Sequence, residues 1–144
     1  MAEQHAAPAG YAKPLPRITP DNRPFWEAAR RHELHLPHCD DCARAFWPPG
    51  PVCPWCFREN LAWRAVSGRG VISCWVLFHR AWFATFADDI PYAVVQVELE
   101  EGPRLTSGVL ELPDDQLAVG LLVEVAFDDI TPEVTLPKFS GRKG

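Results

Sequence analysis

The stretch PHCDDCARAFWPPGPVCPWC, residues 37–56, decides the fold of this chain because it carries four of the five cysteines. They form two Cys-x-x-Cys pairs separated by ten residues, namely Cys39, Cys42, Cys53 and Cys56. Each pair places two thiolates on one tight turn, and two such turns facing each other complete a tetrahedral site of four sulfurs, which zinc accepts. Prolines and a glycine between the pairs supply the chain reversal that this arrangement requires. The spacing therefore predicts a structural, rubredoxin-like zinc ribbon with these four cysteines as its ligands.

Other uses of the cysteines remain open as alternatives. Two disulfides would need an oxidising compartment, and no feature of the sequence indicates export. A redox Cys-x-x-Cys normally stands alone beside a strand and a helix, and is not duplicated across a short hairpin. Iron binds the same set of four sulfurs, so the sequence leaves zinc and iron as alternative metals.

The composition is that of an ordinary folded protein. Hydrophobic residues make up 47% and charged residues 23% of 144 residues, a length that suits one domain or two very small ones. The sequence contains no run of about eighteen apolar residues, so we predict no transmembrane helix. Residues 1–16 lack the basic start and the apolar core of a signal peptide. We expect a cytoplasmic protein with reduced cysteines, in which Cys74, within the apolar run GVISCWVLF, is a buried core thiol.

Charge is distributed unevenly along the chain. Residues 1–63 contain seven Lys/Arg and seven Asp/Glu, whereas residues 64–139 contain five Lys/Arg and twelve Asp/Glu, a net charge of −7. A phosphate backbone requires a positive groove, so this acidic segment argues against a nucleic acid lying along it.

The chain begins with a segment rich in Ala and Pro, residues 1–20, which predicts a flexible arm. We predict that residues 21–36 contain an N-terminal helix that starts near Asp21 or Asn22, either of which can cap its first turn. The adjacent pair Phe25 and Trp26 on this helix needs a surface on which to bury. The sequence leaves two alternatives, the chain's own ribbon and another protein chain.

The ribbon is predicted to extend over residues 37–63. A domain of this size has almost no core of its own, and five aromatic residues are expected to shield it, namely Phe46, Trp47, Trp55, Phe57 and Trp63. His38 adjoins Cys39, but with four cysteines suitably spaced we expect it to be a polar residue on the turn and not a ligand.

Strand patterns dominate residues 64–139. Four strands are indicated by GVISCWVLFHR, YAVVQVEL, RLTSGVLEL and LLVEVAF, and a fifth lies either near residues 63–67 or near residues 133–139. Gly108 within a strand indicates a bulge or a sharp bend, as small barrels require at their corners. The fold class is therefore predicted to be mainly β, with a small five-stranded barrel of the OB type following the helix and the ribbon. Residues 140–144 are expected to form a flexible tail.

The order of these parts is itself a signature. The Pro-Phe-Trp-Glu helix and the four-cysteine ribbon are followed by a Gly-x-Gly motif at Gly68, a Pro-Tyr strand start at Pro91, a Val-Glu-Leu-x-Glu-Gly hairpin at Val97, and Leu-Pro-x-Phe at Leu136. Over residues 21–139 the chain resembles the zinc-ribbon, OB-fold proteins that accompany thiolase-superfamily enzymes acting on acyl-CoA.

This resemblance implies a non-catalytic subunit. Members of the family assemble with a thiolase-like or lipid-transfer-protein-like acyltransferase, synthase or aldolase and help to complete its acyl-CoA site. The residues agree with this, since four sulfurs leave no open coordination position and no catalytic triad, phosphate loop or His-Glu-x-x-His motif is visible. The alternative function is a nucleic-acid-binding ribbon and OB module.

Seven residues are candidate contacts with a partner or with acyl-CoA. Three lie in the aromatic loop AWFATFADDI, residues 81–90, and the others on the helix and around the barrel: Trp82, Phe83, Phe86, Phe25, Trp26, Arg69 and Arg80. The loop is expected to pack on the enzyme partner or to line its acyl-CoA channel, and the alternative is a flap over the barrel mouth. The arginines are candidates for coenzyme A phosphates.

Overall fold

The computed structural model describes residues 11–142, so residues 1–10 of the predicted arm and residues 143–144 of the predicted tail lie outside it. The described part contains one α-helix and eight β-strands, which confirms the predicted mainly-β class. In chain order they are α1 (Arg23–Arg30), β1 (His35–Cys39), β2 (Arg44–Ala45), β3 (Leu61–Ala65), β4 (Arg69–Phe78), β5 (Tyr92–Leu99), β6 (Arg104–Ser107), β7 (Leu122–Asp129) and β8 (Thr135–Gly141). No helix in this part is long and apolar enough to cross a bilayer.

Helix α1 begins where the sequence indicates, but its first turn is fixed differently. Asn22 occupies the N-cap position and Pro24 lies in the first turn, where its missing N–H costs nothing. The Asn22 side chain makes no cap hydrogen bond to the helix; its Oδ1 instead accepts from the Thr19 N–H at 2.7 Å. This side chain therefore stabilises the turn that precedes the helix.

Helix α1 ends at Arg30, within the predicted range of residues 21–36. The Glu33 N–H donates to the Ala28 carbonyl at 3.0 Å and the His32 N–H to the Ala29 carbonyl at 2.9 Å, the pair of bonds that defines a Schellman motif. The motif places His32 in the left-handed region at φ 59°. Leu34 then leads out of the turn and into the core.

Strands β1, β2 and β3 form the ribbon sheet. The order is β2-β1-β3, and both pairings are antiparallel. The central strand β1 therefore carries the first metal-ligand candidate, Cys39, at its end. Strand β3 belongs to this sheet, so it is not the fifth barrel strand.

Strands β4 to β8 form a curled five-stranded antiparallel sheet in the order β6-β5-β4-β7-β8. The second of the two proposed positions for the fifth strand is thus the correct one. The alternation predicted for YAVVQVEL is also confirmed, because four residues of β5 are buried: Ala93, Val95, Val97 and Leu99. The long strand β4 pairs with β5 along its length and with β7 at its beginning, as a coiled OB-type sheet requires.

The open side of this sheet is closed by backbone contacts after β6. Val109 forms an isolated parallel bridge with Phe139 of β8, and the Leu110 N–H donates to the Phe139 carbonyl at 2.9 Å. Gly108 marks the end of β6 just before this contact, which agrees with the bend predicted there. The two edge strands are therefore brought together at one corner.

Cys74 is exposed, which corrects the expectation of a buried core thiol. The pairing of β4 with β5 shifts between Ile72 and Cys74, so a β-bulge interrupts the alternation. Before the bulge Ile72 points inward; after it Trp75 and Leu77 pack on the core, so the inward parity changes by one residue. The Cys74 side chain is consequently turned outward, with Sγ 3.7 Å from Gln96 Oε1.

One hydrophobic core joins the helix, the ribbon and the barrel. It contains residues from the N-terminal part of the chain as well as from the five-stranded sheet, namely Phe25, Leu34, Leu36, Ile72, Ala93, Val95, Val97, Leu99, Leu105, Leu112, Leu117, Val123 and Phe139. The helix is therefore packed between the two sheets and is part of their common interior. The Val66 N–H also donates to the Leu34 carbonyl at 2.9 Å, which ties the chain leaving the ribbon back to the segment entering it.

Candidate functional site: a four-cysteine metal centre and an aromatic loop

The four predicted ligand cysteines converge on one point. Their sulfur atoms all lie within 4.8 Å of one another. The Cys39 and Cys56 sulfurs are 3.5 Å apart, and those of Cys42 and Cys53 are 3.6 Å apart. Sulfurs around a tetrahedral zinc at a bond length of about 2.3 Å are separated by about 3.8 Å, so the cluster fits this ion closely. The predicted metal site of the zinc ribbon is confirmed.

The two Cys-x-x-Cys turns are built in the same way. The Ala43 N–H donates to the Cys39 carbonyl at 2.8 Å, and the Phe57 N–H donates to the Cys53 carbonyl at 2.8 Å. Both residues after the second cysteine have positive φ, 57° for Ala43 and 62° for Phe57. The backbone of each turn is thus closed around its pair of sulfurs. The Trp55 N–H also points at the Cys53 sulfur, at 3.4 Å.

The thiols differ in acidity before metal binds. Burial opposes the ionisation of Cys53, but the backbone N–H groups of Cys56 and Trp55 outweigh it and lower its pKa to about 7. Burial and the neighbouring sulfurs of Cys53 and Cys39 raise the pKa of Cys42 to about 12. Metal binding requires thiolates, so it displaces protons from this cluster and its affinity rises with pH. With four sulfurs as ligands, a bound zinc has no open position and supplies a structural cross-link.

The aromatic residues around the ribbon do not all shield it. Phe46 is buried, and Trp47 and Trp63 pack against the core, as expected. Trp55 and Phe57 are 58% and 77% exposed, which corrects the expectation that they cover the ribbon. Both lie on the second Cys-x-x-Cys turn, Cys53 to Phe57; this turn and the first one, Cys39 to Ala43, are the two knuckles of the ribbon.

The loop between β4 and β5 presents an exposed aromatic surface. Trp82 is 62% and Phe83 57% exposed, and a short 3-10 turn, Ala84–Phe86, follows them. Phe86 packs inward, with ring-centroid distances of 6.3 Å to Phe83 and 5.4 Å to Tyr92. The loop is therefore anchored through Phe86 and displays its two preceding aromatic residues.

Lys13, in the segment before the helix, holds the far end of this loop. Its Nζ lies 2.5 Å from the Asp89 carboxylate and 5.4 Å from the centre of the Phe86 ring. The contact with Asp89 raises the pKa of Lys13, which keeps the amine charged. Residues 11–20 contain no helix or strand, yet this part of the predicted arm makes a specific contact that the sequence pattern did not indicate.

The other candidate contact residues are dispersed. Phe25 is 6% exposed and packs on Trp47 at 4.5 Å between ring centroids, so its side chain is occupied within the chain. Trp26 is half-buried beside it. Arg80 lies over the Trp82 ring at 4.3 Å, whereas Arg69 pairs with Glu100 at 3.2 Å. The two arginines flank opposite ends of β4, a length of about 30 Å for an extended strand, and do not form one patch.

Two family models match adjoining parts of the chain. The model described as the ChsH2 rubredoxin-like zinc ribbon domain matches residues 26–62. The model described as the ChsH2 C-terminal OB-fold domain matches residues 63–128. The matched segments therefore correspond to the ribbon and to most of the barrel.

Similar proteins fall into two groups. The chain is 32% identical over 117 residues to a DUF35 domain-containing scaffold protein of Methanothermobacter thermautotrophicus, covering 81% of this chain and 87% of the relative. It is 33% identical over 127 residues, 88% of its length, to a probable enoyl-CoA hydratase alpha subunit of Thermomonospora curvata. It is 25% identical over 114 residues, 79% of its length, to the 3-oxo-4,17-pregnadiene-20-carboxyl-CoA hydratase alpha subunit of Mycobacterium tuberculosis. The matched regions make up 39% and 36% of these two hydratase subunits, so the chain spans less than half of their length.

Two solved structures have a similar fold. The structure named Ltp2-ChsH2(DUF35) aldolase includes a chain that superposes with a TM-score of 0.79 and 31% identity, covering 88% of this chain and 98% of that chain. A DUF35-family protein of Sulfolobus solfataricus superposes with a TM-score of 0.56 and 13% identity, covering 74% and 77% of the two chains, which shows the same fold.

Proposed function

This chain belongs to the ChsH2 family of zinc-ribbon and OB-fold proteins, together with DUF35 scaffold proteins, and on this premise we propose that it is a non-catalytic zinc-binding subunit. It assembles with a thiolase-like acyltransferase, synthase or aldolase and helps to form the acyl-CoA site of that enzyme. The likeness to the ChsH2(DUF35) chain of an aldolase carries the proposal, because it extends over 98% of that chain. The name of that structure joins ChsH2(DUF35) to a second component, Ltp2.

The chemistry of the chain supports an accessory role. Its four converging cysteines are committed to the metal and provide no site for water or substrate. Two surface depressions, of about 360 and 300 Å³, have few apolar side chains in their lining: Glu27, Arg30 and Arg31 line the first, and His38, Cys39, Asp40, Ala43 and Arg64 the second. An acyl chain requires an apolar lining, which we assign to the enzyme subunit. The unpaired cysteines agree with a reducing, cytoplasmic location.

The negative charge of the barrel bears on which subunit contacts the coenzyme A phosphates. Residues 64–139 carry a net charge of −7, which repels the phosphates of coenzyme A. Arg69 is paired with Glu100, and Arg80 lies at the other end of β4 over Trp82. We therefore propose that the enzyme subunit supplies most phosphate contacts and that Arg80, beside the aromatic loop, is the stronger candidate of the two.

The aromatic loop of residues 81–90 is the proposed contact with the enzyme. Trp82 and Phe83 are exposed on a loop whose C-terminal half is held at two points, by Phe86 against Tyr92 and by Lys13 against Asp89. A held loop loses little conformational freedom on binding, which favours its use as an anchor. Trp26 remains a candidate contact, whereas Phe25 is buried and contributes only by stabilising the packing of the helix.

The test compares the chain alone with the assembled complex. The tagged full-length chain is purified from its host, and the proteins that accompany it are identified by mass spectrometry. We expect a thiolase-like or lipid-transfer-protein-like subunit, and acyl-CoA turnover only when both are present. Turnover of an acyl-CoA substrate by the pure chain, at the roughly 1–1000 per second typical of enzymes, would overturn the accessory role. Recovery of a subunit with no relation to acyl-CoA chemistry would overturn the partner.

A further inference from the structure

The two knuckles of the ribbon perform the same backbone task with different side chains. In the first, Cys39 is followed by Asp40, Asp41, Cys42 and Ala43; in the second, Cys53 is followed by Pro54, Trp55, Cys56 and Phe57. Each turn closes with an N–H to carbonyl bond of 2.8 Å, and each places its fifth residue at positive φ. The first knuckle shows that holding two sulfurs requires no aromatic residue. Trp55 and Phe57 must therefore be explained by something other than the metal.

Neither aromatic residue is used within the described part of the chain in the way a core residue is. Phe57 is 77% exposed and adopts φ 62°, a conformation that is costly for a residue with a bulky side chain. Trp55 is 58% exposed, and its ring contacts the guanidinium of Arg44 at 4.8 Å. Val52, also exposed, immediately precedes this knuckle. The turn thus displays large apolar side chains that a polar turn of identical geometry does without.

We propose that this knuckle tip, defined as Val52, Trp55 and Phe57 with Arg44 and Arg58 beside them, is a second docking surface for the enzyme subunit. The proposal rests on the proposed function and extends it to a part of the chain distinct from the aromatic loop. Tryptophan and arginine are the residue types most enriched among the side chains that dominate interface energies. The tip inserts its aromatic pair into an apolar cleft of the partner.

Charge indicates what borders that cleft. Arg58 is largely exposed and lies 4.0 Å from Asp41, too far for a strong pair, and Arg44 stacks on Trp55 without a carboxylate partner among the described residues. The two guanidiniums therefore favour a cleft bordered by carboxylates. A nucleic acid fits less well, because the ribbon strands and knuckles, residues 35–65, contain three carboxylates and three arginines and so carry no excess of positive charge.

The extent of the tip argues against a second copy of this chain as the occupant. A stable interface buries about 800 Å² on each partner, from roughly 20 to 30 residues. Two knuckle tips facing each other would contribute three apolar side chains each, well below that requirement. A larger enzyme subunit can surround the tip and continue the contact beyond it.

The positive φ of Phe57 allows a sharp experiment with a matched control. Phe57→Gly removes the ring and places at this position the residue that tolerates positive φ best, so the zinc-loaded full-length chain should melt at or above the wild-type temperature. Ala43→Gly makes the same backbone change on the first knuckle. Affinity is measured for the acyl-CoA enzyme subunit that co-purifies with the wild-type chain. We expect Phe57→Gly and, separately, Trp55→Ala to weaken binding more than about tenfold and Ala43→Gly to leave it unchanged.

Each other outcome would overturn the proposal. If the wild-type chain retains its enzyme subunit and both tip variants bind it equally well, the knuckle tip is not a docking surface, while the proposed function stands. If no acyl-CoA enzyme co-purifies with the wild-type chain, the result refutes both the proposed function and the proposal that an enzyme subunit binds the knuckle tip. If Trp55→Ala instead converts a dimer of the free chain to a monomer in sedimentation, or abolishes binding of single-stranded DNA or RNA oligonucleotides, the tip belongs to a second copy or to a nucleic acid.

Discussion

His32 directs its imidazole Nε2 at the carboxylate of Asp129, 2.9 and 3.0 Å from the two oxygens, although 97 residues separate them in the sequence. The His32 ring also stacks on Phe127 at a centroid distance of 5.2 Å. The Thr135 hydroxyl donates to the same carboxylate at 2.5 Å. The turn that follows the helix is thereby connected to strands β7 and β8 of the barrel.

This contact predicts a pH-dependent effect of Asp129→Asn. The hydrogen bonds from Thr135 and His32 lower the pKa of Asp129 below its usual value of 3.8. A carboxyl whose folded pKa is lowered stabilises the fold above its unfolded pKa, and this contribution is lost as the pH falls through the folded pKa. We therefore expect the variant to melt below the wild type at pH 7, and the difference between the two melting temperatures to shrink as the pH falls below about 4, toward the lowered pKa of Asp129.

The control for this prediction is Asp115→Asn, on an exposed turn of the same barrel. The melting temperature of this variant should equal that of the wild type throughout the pH range. A melting difference for Asp129→Asn that stays constant down to pH 3 would show that the carboxylate charge is not what stabilises the contact.

The metal centre predicts one zinc per chain. Cys53→Ser removes one of four ligands, so we expect low zinc content and loss of ribbon structure, because the ribbon has too small a core to fold without its metal. Cys74→Ser is a matched control, since Cys74 is exposed and outside the cluster, and it should keep a full complement of zinc. Metal analysis is the measurement. A wild-type chain with well under one zinc or iron would refute the site.

The aromatic loop predicts a loss of partner affinity without a loss of stability. Fully burying one large apolar side chain is worth about 1.5–3 kcal/mol, so Trp82→Ala with Phe83→Ala should weaken enzyme binding more than tenfold. The melting temperature of the isolated chain should hardly change, because both residues are exposed. Val119→Ala, also at an exposed position, is the control for binding. A large drop in melting temperature with intact affinity would assign the pair to the barrel's own packing.

Close backbone approach predicts that Gly70→Ala destabilises the barrel. A Cβ at Gly70 would lie 2.4 Å from the Glu98 carbonyl oxygen and 2.7 Å from Val97 Cγ1, across the pairing of β4 and β5. Backbone atoms cannot move away without disturbing the sheet, so we expect a loss of roughly 1–3 kcal/mol in the free energy of unfolding. Gly50→Ala, where a Cβ meets nothing within 4 Å, should be close to neutral. Denaturant unfolding of both variants checks this, and equal midpoints would contradict it.

Features encoded locally could be predicted from the sequence. The cysteine spacing specifies a metal site because each Cys-x-x-Cys is a self-contained turn, and the structure brings the two turns together. The alternation of apolar and polar residues in β5 could also be predicted, since one face of that strand is buried along its whole length. The helix start followed from Asn22 and Pro24, although the Asn22 side chain was assigned the wrong hydrogen bond.

Features that depend on distant residues or on a single irregularity could not be predicted. One bulge in β4 changes which residues of the strand face the core and turns Cys74 outward. No residue in GVISCWVLF indicates this bulge. The helix end is set by a Schellman motif with His32, not Gly, at positive φ, and the partner of that side chain lies on β7. Composition likewise suggested that Trp55 and Phe57 cover the ribbon, because apolar content does not reveal which way a turn directs its side chains.

The common core of Phe25, Leu34 and Leu36 with the barrel residues has a consequence for how this protein can evolve. The two family models meet between residues 62 and 63, inside strand β3, yet a recombination breakpoint there would separate halves of one interior. Breakpoints before α1 or after β8 would leave this common core undivided. We therefore expect helix, ribbon and barrel to be inherited as one module. The region that matches this chain forms about two fifths of each hydratase subunit, which agrees with such a module being joined to a further length of protein.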